Sequence, residues 1–150
     1  RENTAPACSV RTLQGNVLSL DKPQGKVVIL DFWATWCGPC NEELPHLQKI
    51  AQRFQGKPFV VLSVSSDKDA TKWQAFVQKH YMTWPQYRDE DGTMGTLFGV
   101  HLIPHYFIID SDGVLRSGNL DTDIDGRLDK LVAQAQKMEE QKAVSVTAGQ

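Results

Sequence analysis

A chain of 150 residues, 41% hydrophobic and 23% charged, has the size and composition of one domain able to bury its own core. Its formal net charge is −2 and its lysines and arginines form no cluster, so it offers nucleic acid or an anionic membrane surface no electrostatic footing. No apolar stretch approaches the length that spans a bilayer, and three cysteines alone fix no redox compartment.

Residues 5–20 read as a short hairpin lead-in, with Val10, Leu13, Val17, Leu18 and Leu20 around a Gln14-Gly15-Asn16 turn. Pro23-Gln24-Gly25-Lys26 is a second turn. Val27–Trp33 is then a buried strand, because its apolar run is nearly continuous rather than alternating. Next comes a helix with Leu44, Leu47, Ile50, Ala51 and Phe54 at helical spacing. Pro45 is expected to kink it, and Gly56-Lys57-Pro58 to end it. Phe59–Ser65 is a second buried strand. Residues 69–81 form a helix with Trp73, Phe76 and Val77 inward. A short extended piece falls within 83–88, a turn at Asp89-Glu90-Asp91-Gly92 and a helical turn at 94–98 closed by Gly99. Strands at 106–110 and 114–117 are joined by Ser111-Asp112-Gly113, a hairpin signal. The last helix is expected over 124–142, with Leu128, Leu131, Val132, Ala135 and Met138 on one face. A single domain over 1–142 is therefore expected, with 143–150 a flexible tail lacking periodicity. The order βαβα then ββα fits an α/β fold with a central mixed sheet flanked by helices.

The chemistry is concentrated at Trp36-Cys37-Gly38-Pro39-Cys40, directly after the Val27–Trp33 strand. A strand ending in a tight turn delivers Cys37 to the first turn of the next helix. Unpaired N–H groups and the positive end of the helix dipole there favour an anion, here the thiolate that makes cysteine reactive. Cys40 lies one turn on and can close a disulfide with Cys37. A bare Cys-x-x-Cys is also half of a zinc site, but zinc needs a second ligand pair. The only other cysteine is Cys8, and His46 and His80 stand at no ligand spacing, so redox chemistry is the stronger reading and no metal is expected.

The segment Leu30-Asp31-Phe32-Trp33-Ala34-Thr35-Trp36-Cys37-Gly38-Pro39-Cys40 closely resembles the active-site segment of thioredoxins. With Asn41-Glu42-Glu43-Leu44-Pro45 added, it is most similar to the TlpA/ResA-type thiol–disulfide oxidoreductases, whose pattern places a glutamate three residues after the second cysteine and a proline two further on; here these are Glu43 and Pro45. The resemblance covers nearly the whole chain, from about Ala5 to about Lys142. It implies a thioredoxin-like fold with an N-terminal β-hairpin. The 64 residues from Cys40 to Pro104 exceed what a simple thioredoxin needs, and the excess, around 69–98, resembles the insertion of TlpA-like proteins. It further implies a protein-disulfide reductase working outside the cytoplasm, with no cofactor beyond the redox-active Cys37–Cys40 pair. Its partners would be disulfide-bonded or thiol client proteins, such as apocytochrome c, and a membrane thiol-transfer protein that recharges it. The chain starts at Arg1 rather than Met, as expected if an upstream signal or anchor has been removed.

Cys37 is the expected nucleophile and Cys40 the more buried resolving thiol, which needs a base. Asp31 is the leading candidate, since a carboxylate among Val, Ile, Leu and Phe is expensive to bury and desolvation raises its pKa toward the working pH. The alternative is a structural aspartate bonded to backbone. Simple thioredoxins often place a lysine beside this aspartate, and none lies within 59–66. Glu43 faces the same side of its helix as Cys40; it is either an active-site acid, as the resemblance implies, or an exposed first-turn glutamate stabilised by the helix dipole, as Glu42 is expected to be.

Ile103-Pro104 precedes a strand, the context in which thioredoxin-like proteins hold a cis-proline beside the disulfide. The Ile103 backbone would then serve as a strand-like edge for the partner chain. Gly38 and Pro39 keep Cys37 accessible and the loop rigid, and Trp33 and Trp36 supply packing and docking surface. His105 and Cys8 are expected to pack. Asp121-Thr122-Asp123-Ile124-Asp125-Gly126 matches the opening of a calcium loop, but the twelfth position is Val132 where a bidentate glutamate is needed, so helix capping is preferred. Two other functions stand as alternatives. A peroxiredoxin-like peroxidase needs a Thr-x-x-Cys frame and an activating arginine, and Thr35-Trp36-Cys37 does not fit; the other is a binding module that kept the motif without turnover.

Overall fold

The computed structural model describes residues 3–117, 120 and 123–149. The chain begins with a two-stranded antiparallel hairpin, β1 (Ser9–Arg11) and β2 (Val17–Ser19). Of the apolar residues of this hairpin, Leu13 and Val17 are exposed near its turn, while Val10 and Leu20 reach the core.

The main sheet has five strands in the order β5 (Gln86–Arg88), β4 (Phe59–Ser65), β3 (Val27–Trp33), β6 (His105–Ile109) and β7 (Leu115–Ser117). β3, β4 and β5 run parallel, and β6 and β7 are antiparallel to their neighbours, giving the mixed sheet expected. Every residue of β3 is buried, as its continuous apolar run requires for a central strand covered on both faces. Successive side chains alternate between the two faces. Val27, Ile29 and Trp33 pack with α1 (Gly38–Arg53), α2 (Ala70–Lys79) and α4 (Ile124–Ala148), through Leu47, Ile50, Trp73, Val77, Leu128 and Val132. Val28, Leu30 and Phe32 pack on the opposite face with Val10, Leu20, Met94 and Phe98, from the hairpin and from α3 (Thr93–Leu97) and its flank. Each fully buried aliphatic side chain of this kind contributes about 1.5–3 kcal/mol. Asp31 shares the odd-numbered face of β3 and so points toward α1.

The predicted hairpin between β6 and β7 is present. Gly113 takes φ +83°, and a Cβ there would lie 2.2 Å from the Asp21 carbonyl oxygen, so only glycine fits. Asp110 ties this turn by accepting the N–H groups of Asp112 and Val114. α1 passes through Pro45 and continues to Arg53. Asp69 caps α2 by accepting the Lys72 N–H at 3.1 Å.

Two expectations fail at the C-terminus. α4 does not stop near Lys142 but runs to Ala148, with Gly149 as its cap residue. Met138, expected inward, is exposed. The final turns carry no apolar face, so periodicity cannot mark their end. They hold no glycine or proline before Gly149, so the helix propagates one bond per residue. Of the calcium-like string, Asp121 and Thr122 lie outside the described residues. Asp125 pairs with Arg53 of α1 at 3.1 Å and with His46 at 3.6 Å, and Val132 is buried in the core.

Candidate active site

Cys37 is the N-cap residue of α1, with extended backbone (φ −86°, ψ 107°), and Pro39 follows within the first turn, where its missing N–H is no loss. The Cys37 Sγ accepts the backbone N–H of Cys40 at 3.2 Å. Cys37 and Cys40 are joined in a disulfide with their Cα atoms 5.2 Å apart. The helix-start position read from the sequence is therefore present, with an N–H aimed at the sulfur that would carry the charge. Cys40 is not more buried than Cys37: the residues are 6% and 5% exposed. In the bonded form each sulfur covers the other, so the two differ in their neighbours rather than in their exposure. Gly38 and Pro39 are exposed beside them.

Asp31 is 3% exposed. Burial raises its pKa from 3.8 to about 7; the hydrogen bond from Ser63 opposes the shift, and the nearby charge of Glu43 adds to it. The Ser63 Oγ donates to Asp31 Oδ2 at 2.7 Å. The partner of this carboxylate is thus a neutral hydroxyl, placed by the parallel register that sets Ser63 directly across from Asp31. Asp31 and Cys40 line one small cavity of about 10 Å³ with Trp33, Asn41, Leu44, Leu47, Met82 and Tyr106. That is room for about one water molecule.

Glu43 is not a first-turn residue. It lies in the second turn of α1, half-buried, with Oε2 buried and unpaired among the described residues. The exposed-glutamate reading therefore fails for Glu43, and Glu42, which is exposed, also stands past the first turn. Tyr106 lies opposite Asp31 on the other flank of β3. Burial, the Asp31 charge and a hydrogen bond with Glu43 hold its phenol protonated, far above the usual tyrosine range. Asp31, Glu43 and Tyr106 thus form one electrostatic group beneath Cys40.

The Ile103–Pro104 peptide bond is cis. Trp36 is 68% exposed, and it lines a 300 Å³ groove together with Gly92, Gly95, Thr96, His101 and Ile103. Leu102, the residue before Ile103, is 81% exposed. Trp33 is buried, as expected, and packs against Phe76 at a tilted angle. His105 stacks on Phe107 at 4.6 Å, and Cys8 is half-buried against the second core face, with its thiol pushed up by burial.

Sequence reasoning missed four contributors. Ser63 and Tyr106 are brought to Asp31 by strand register, and Trp84 reaches Ser63 through its indole Nε1 at 2.8 Å. Asp67 holds the loop before Cys37: it accepts the Thr35 backbone N–H at 3.0 Å and the Thr35 hydroxyl at 2.6 Å, and it bonds Ser65. The one available signal was a buried-strand serine, Ser63, where apolar residues surround it.

Comparison with known proteins agrees with this geometry. The sequence model of the AhpC/TSA family matches residues 2–117. The chain is 34% identical over 120 residues to the thioredoxin-like protein YneN of Bacillus subtilis, covering 79% of this chain and 70% of that one. It is 31% identical over 109 residues to the thiol-disulfide oxidoreductase ResA of Bacillus thuringiensis subsp. konkukian, spanning 73% of this chain and 63% of that relative. Among solved structures, the thioredoxin domain of a thiol-disulfide oxidoreductase from Bacteroides vulgatus superposes with a TM-score of 0.75 at 28% identity, over 86% of this chain and 95% of that one. The fold is thus thioredoxin-like, with the Cys-x-x-Cys site at a helix start, and no helix among the described residues is long and apolar enough to cross a membrane. The chain belongs to the AhpC/TSA family and is a thiol–disulfide oxidoreductase related to ResA.

Proposed function

We propose that the protein reduces disulfides of exported client proteins through a Cys37/Cys40 dithiol–disulfide cycle. The observation that carries this reading is the Cys37 sulfur at the start of α1, bonded to a Cys40 that shares a cavity with a buried carboxylate.

In the reduced protein the Cys37 thiolate attacks one sulfur of the client disulfide. The client's other sulfur leaves as a thiolate and takes a proton, and a mixed disulfide joins Cys37 to the client. Cys40 then gives its proton to Asp31 and attacks the Cys37 sulfur. The client's second sulfur departs as a thiolate and takes a proton, which Asp31 can supply, and the two electrons the client gained leave Cys37 and Cys40 as a disulfide. Asp31 suits this step because its pKa near 7 lets it accept and release a proton at neutral pH. Glu43 raises the Asp31 pKa through its charge and so tunes the same transfer. The client backbone would lie along Ile103 and Pro104, with Trp36, Gly38 and Pro39 forming the rim.

The similarity to ResA supports apocytochrome c or other exported proteins as clients, a membrane thiol-transfer protein as electron donor, and a location outside the cytoplasm. A peroxidase reading has less support. Thr35 stands two residues before Cys37 rather than three, and Arg11, Arg53, Arg88 and Arg116 are engaged with the Gly15 carbonyl or with acidic side chains.

Insulin reduction tests the cycle: Cys37→Ser should abolish it, and Cys40→Ser should accumulate the mixed disulfide. Alkylation of Cys40 before Cys37 in the reduced protein would reverse the roles. Equilibration with glutathione should give a potential nearer the value of about −270 mV typical of thioredoxin than the value of about −120 mV of a strong oxidant such as DsbA. An oxidising result would make the protein a disulfide donor and overturn the reductant reading.

A further inference from the structure

Ser63 and Trp84 take no part in the thiol chemistry itself, yet together they decide how Asp31 can handle a proton. We propose that both are positioning residues for proton transfer at Asp31: the Trp84 indole N–H fixes the direction of the Ser63 hydroxyl, which in turn reserves Asp31 Oδ1 as the oxygen that gains and loses the proton. The proposal rests on the reading of Asp31 as the relay for Cys40.

An indole nitrogen donates and cannot accept, while a serine hydroxyl has one proton to give. Trp84 Nε1 lies 2.8 Å from Ser63 Oγ, so the hydroxyl oxygen must accept there. The single hydroxyl proton is then left for Asp31 Oδ2, 2.7 Å away. With Oδ2 already receiving that hydrogen bond, a proton arriving on Asp31 goes to Oδ1.

The chain is held in place at each link. Ser63 is fully buried on β4 opposite Asp31, and its N–H bonds the Pro85 carbonyl, next to Trp84. The Trp84 carbonyl accepts the Gln14 side-chain amide at 3.1 Å, and Gln14 Oε1 accepts the Gln86 N–H at 3.2 Å, so the N-terminal hairpin anchors the tryptophan.

The groups that face Asp31 are Cys40 and Glu43 from α1, Ser63 from β4 and Tyr106 from β6. Glu43 opposes ionisation of Asp31, and the Ser63 hydroxyl favours it. A neutral donor of fixed direction stabilises the carboxylate without neutralising it. A lysine in the same place would favour the ionised carboxylate further and make it a weaker base toward Cys40.

The test is a carboxyl 13C NMR titration of Asp31 in the oxidised protein, beside the pH dependence of mixed-disulfide resolution in the active one. Ser63→Ala removes a hydrogen bond to a charged group, so the Asp31 midpoint should rise by about one pH unit or more. Trp84→Phe leaves the hydroxyl in place but free to rotate, so the midpoint should rise by less. Ser63→Thr should restore the wild-type midpoint. The resolution profile should shift in the same order. Trp84→Phe keeps the test available if Ser63→Ala fails to fold. Unchanged midpoints in both variants overturn the proposal, and a shift in Ser63→Ala alone refutes the role of Trp84. If the midpoints hold while Asp31→Asn still resolves slowly, the relay reading stands without this proposal. If Asp31→Asn resolves at the wild-type rate, the relay reading itself falls and the proposal falls with it.

Discussion

Replacing Asp31 with asparagine keeps the shape of the side chain and removes its titration. In the unfolded chain this carboxyl has its ordinary pKa of 3.8; in the fold, burial raises it to about 7. Between those values the unfolded state has released a proton that the native state still holds. The unfolded state therefore binds fewer protons, and stability falls as pH rises, by about 1.4 kcal/mol per pH unit. The stabilising difference is fully present below pH 3.8, declines through the window up to about 7, and is gone above it. Across roughly three units the loss is about 4 kcal/mol at most. The Asp31→Asn variant escapes it. The new amide N–H groups add a pH-independent penalty of about 1–3 kcal/mol, which lowers the whole curve without changing its shape. The stability of the variant relative to wild type should thus climb from pH 4 to pH 7 and level off above pH 8. Urea unfolding of the disulfide form at several pH values measures this, because Cys37 and Cys40 do not titrate there. A difference that is flat between pH 4 and pH 8 would refute the buried, protonated aspartate and the proton relay built on it.

Three further outcomes are expected. Asp67→Ala removes the acceptor of both Thr35 hydrogen bonds and should cost about 2–4 kcal/mol, read as a fall in Tm; an unchanged Tm would show that the loop before Cys37 is held by other contacts. Trp36→Ala, at an exposed position, should leave stability within about 0.5 kcal/mol yet slow reduction of protein disulfides more than of a small disulfide; equal slowing would remove Trp36 from docking. The Cys37 thiol should titrate below the free value of about 8.5, followed by thiolate absorbance, and an unshifted value would dismiss the helix-start argument.

The local features of the site were legible in the sequence because each follows from its near neighbours. A continuous apolar run made β3 a buried strand, a glycine and a proline made the turn into a helix, and three residues of spacing brought two sulfurs within bonding range. An aspartate in such a strand announced its own energetic cost. The hairpin at Gly113 was equally local. The partners of Asp31 were not legible. Ser63 and Tyr106 lie 32 and 75 residues further along the chain, and a shift of one residue in either strand would turn them to the opposite face of the sheet. Only packing of the whole sheet fixes that register, and with it the hydroxyl that partners Asp31. The depth of Glu43 and the equal burial of the two cysteines depended likewise on how α1 lies against β3 and β6, while the length of α4 escaped notice because an exposed helix end leaves no apolar pattern. Sequence determined which groups carry the chemistry; tertiary structure decided which groups surround them, since desolvation and charge act through distance in space rather than along the chain.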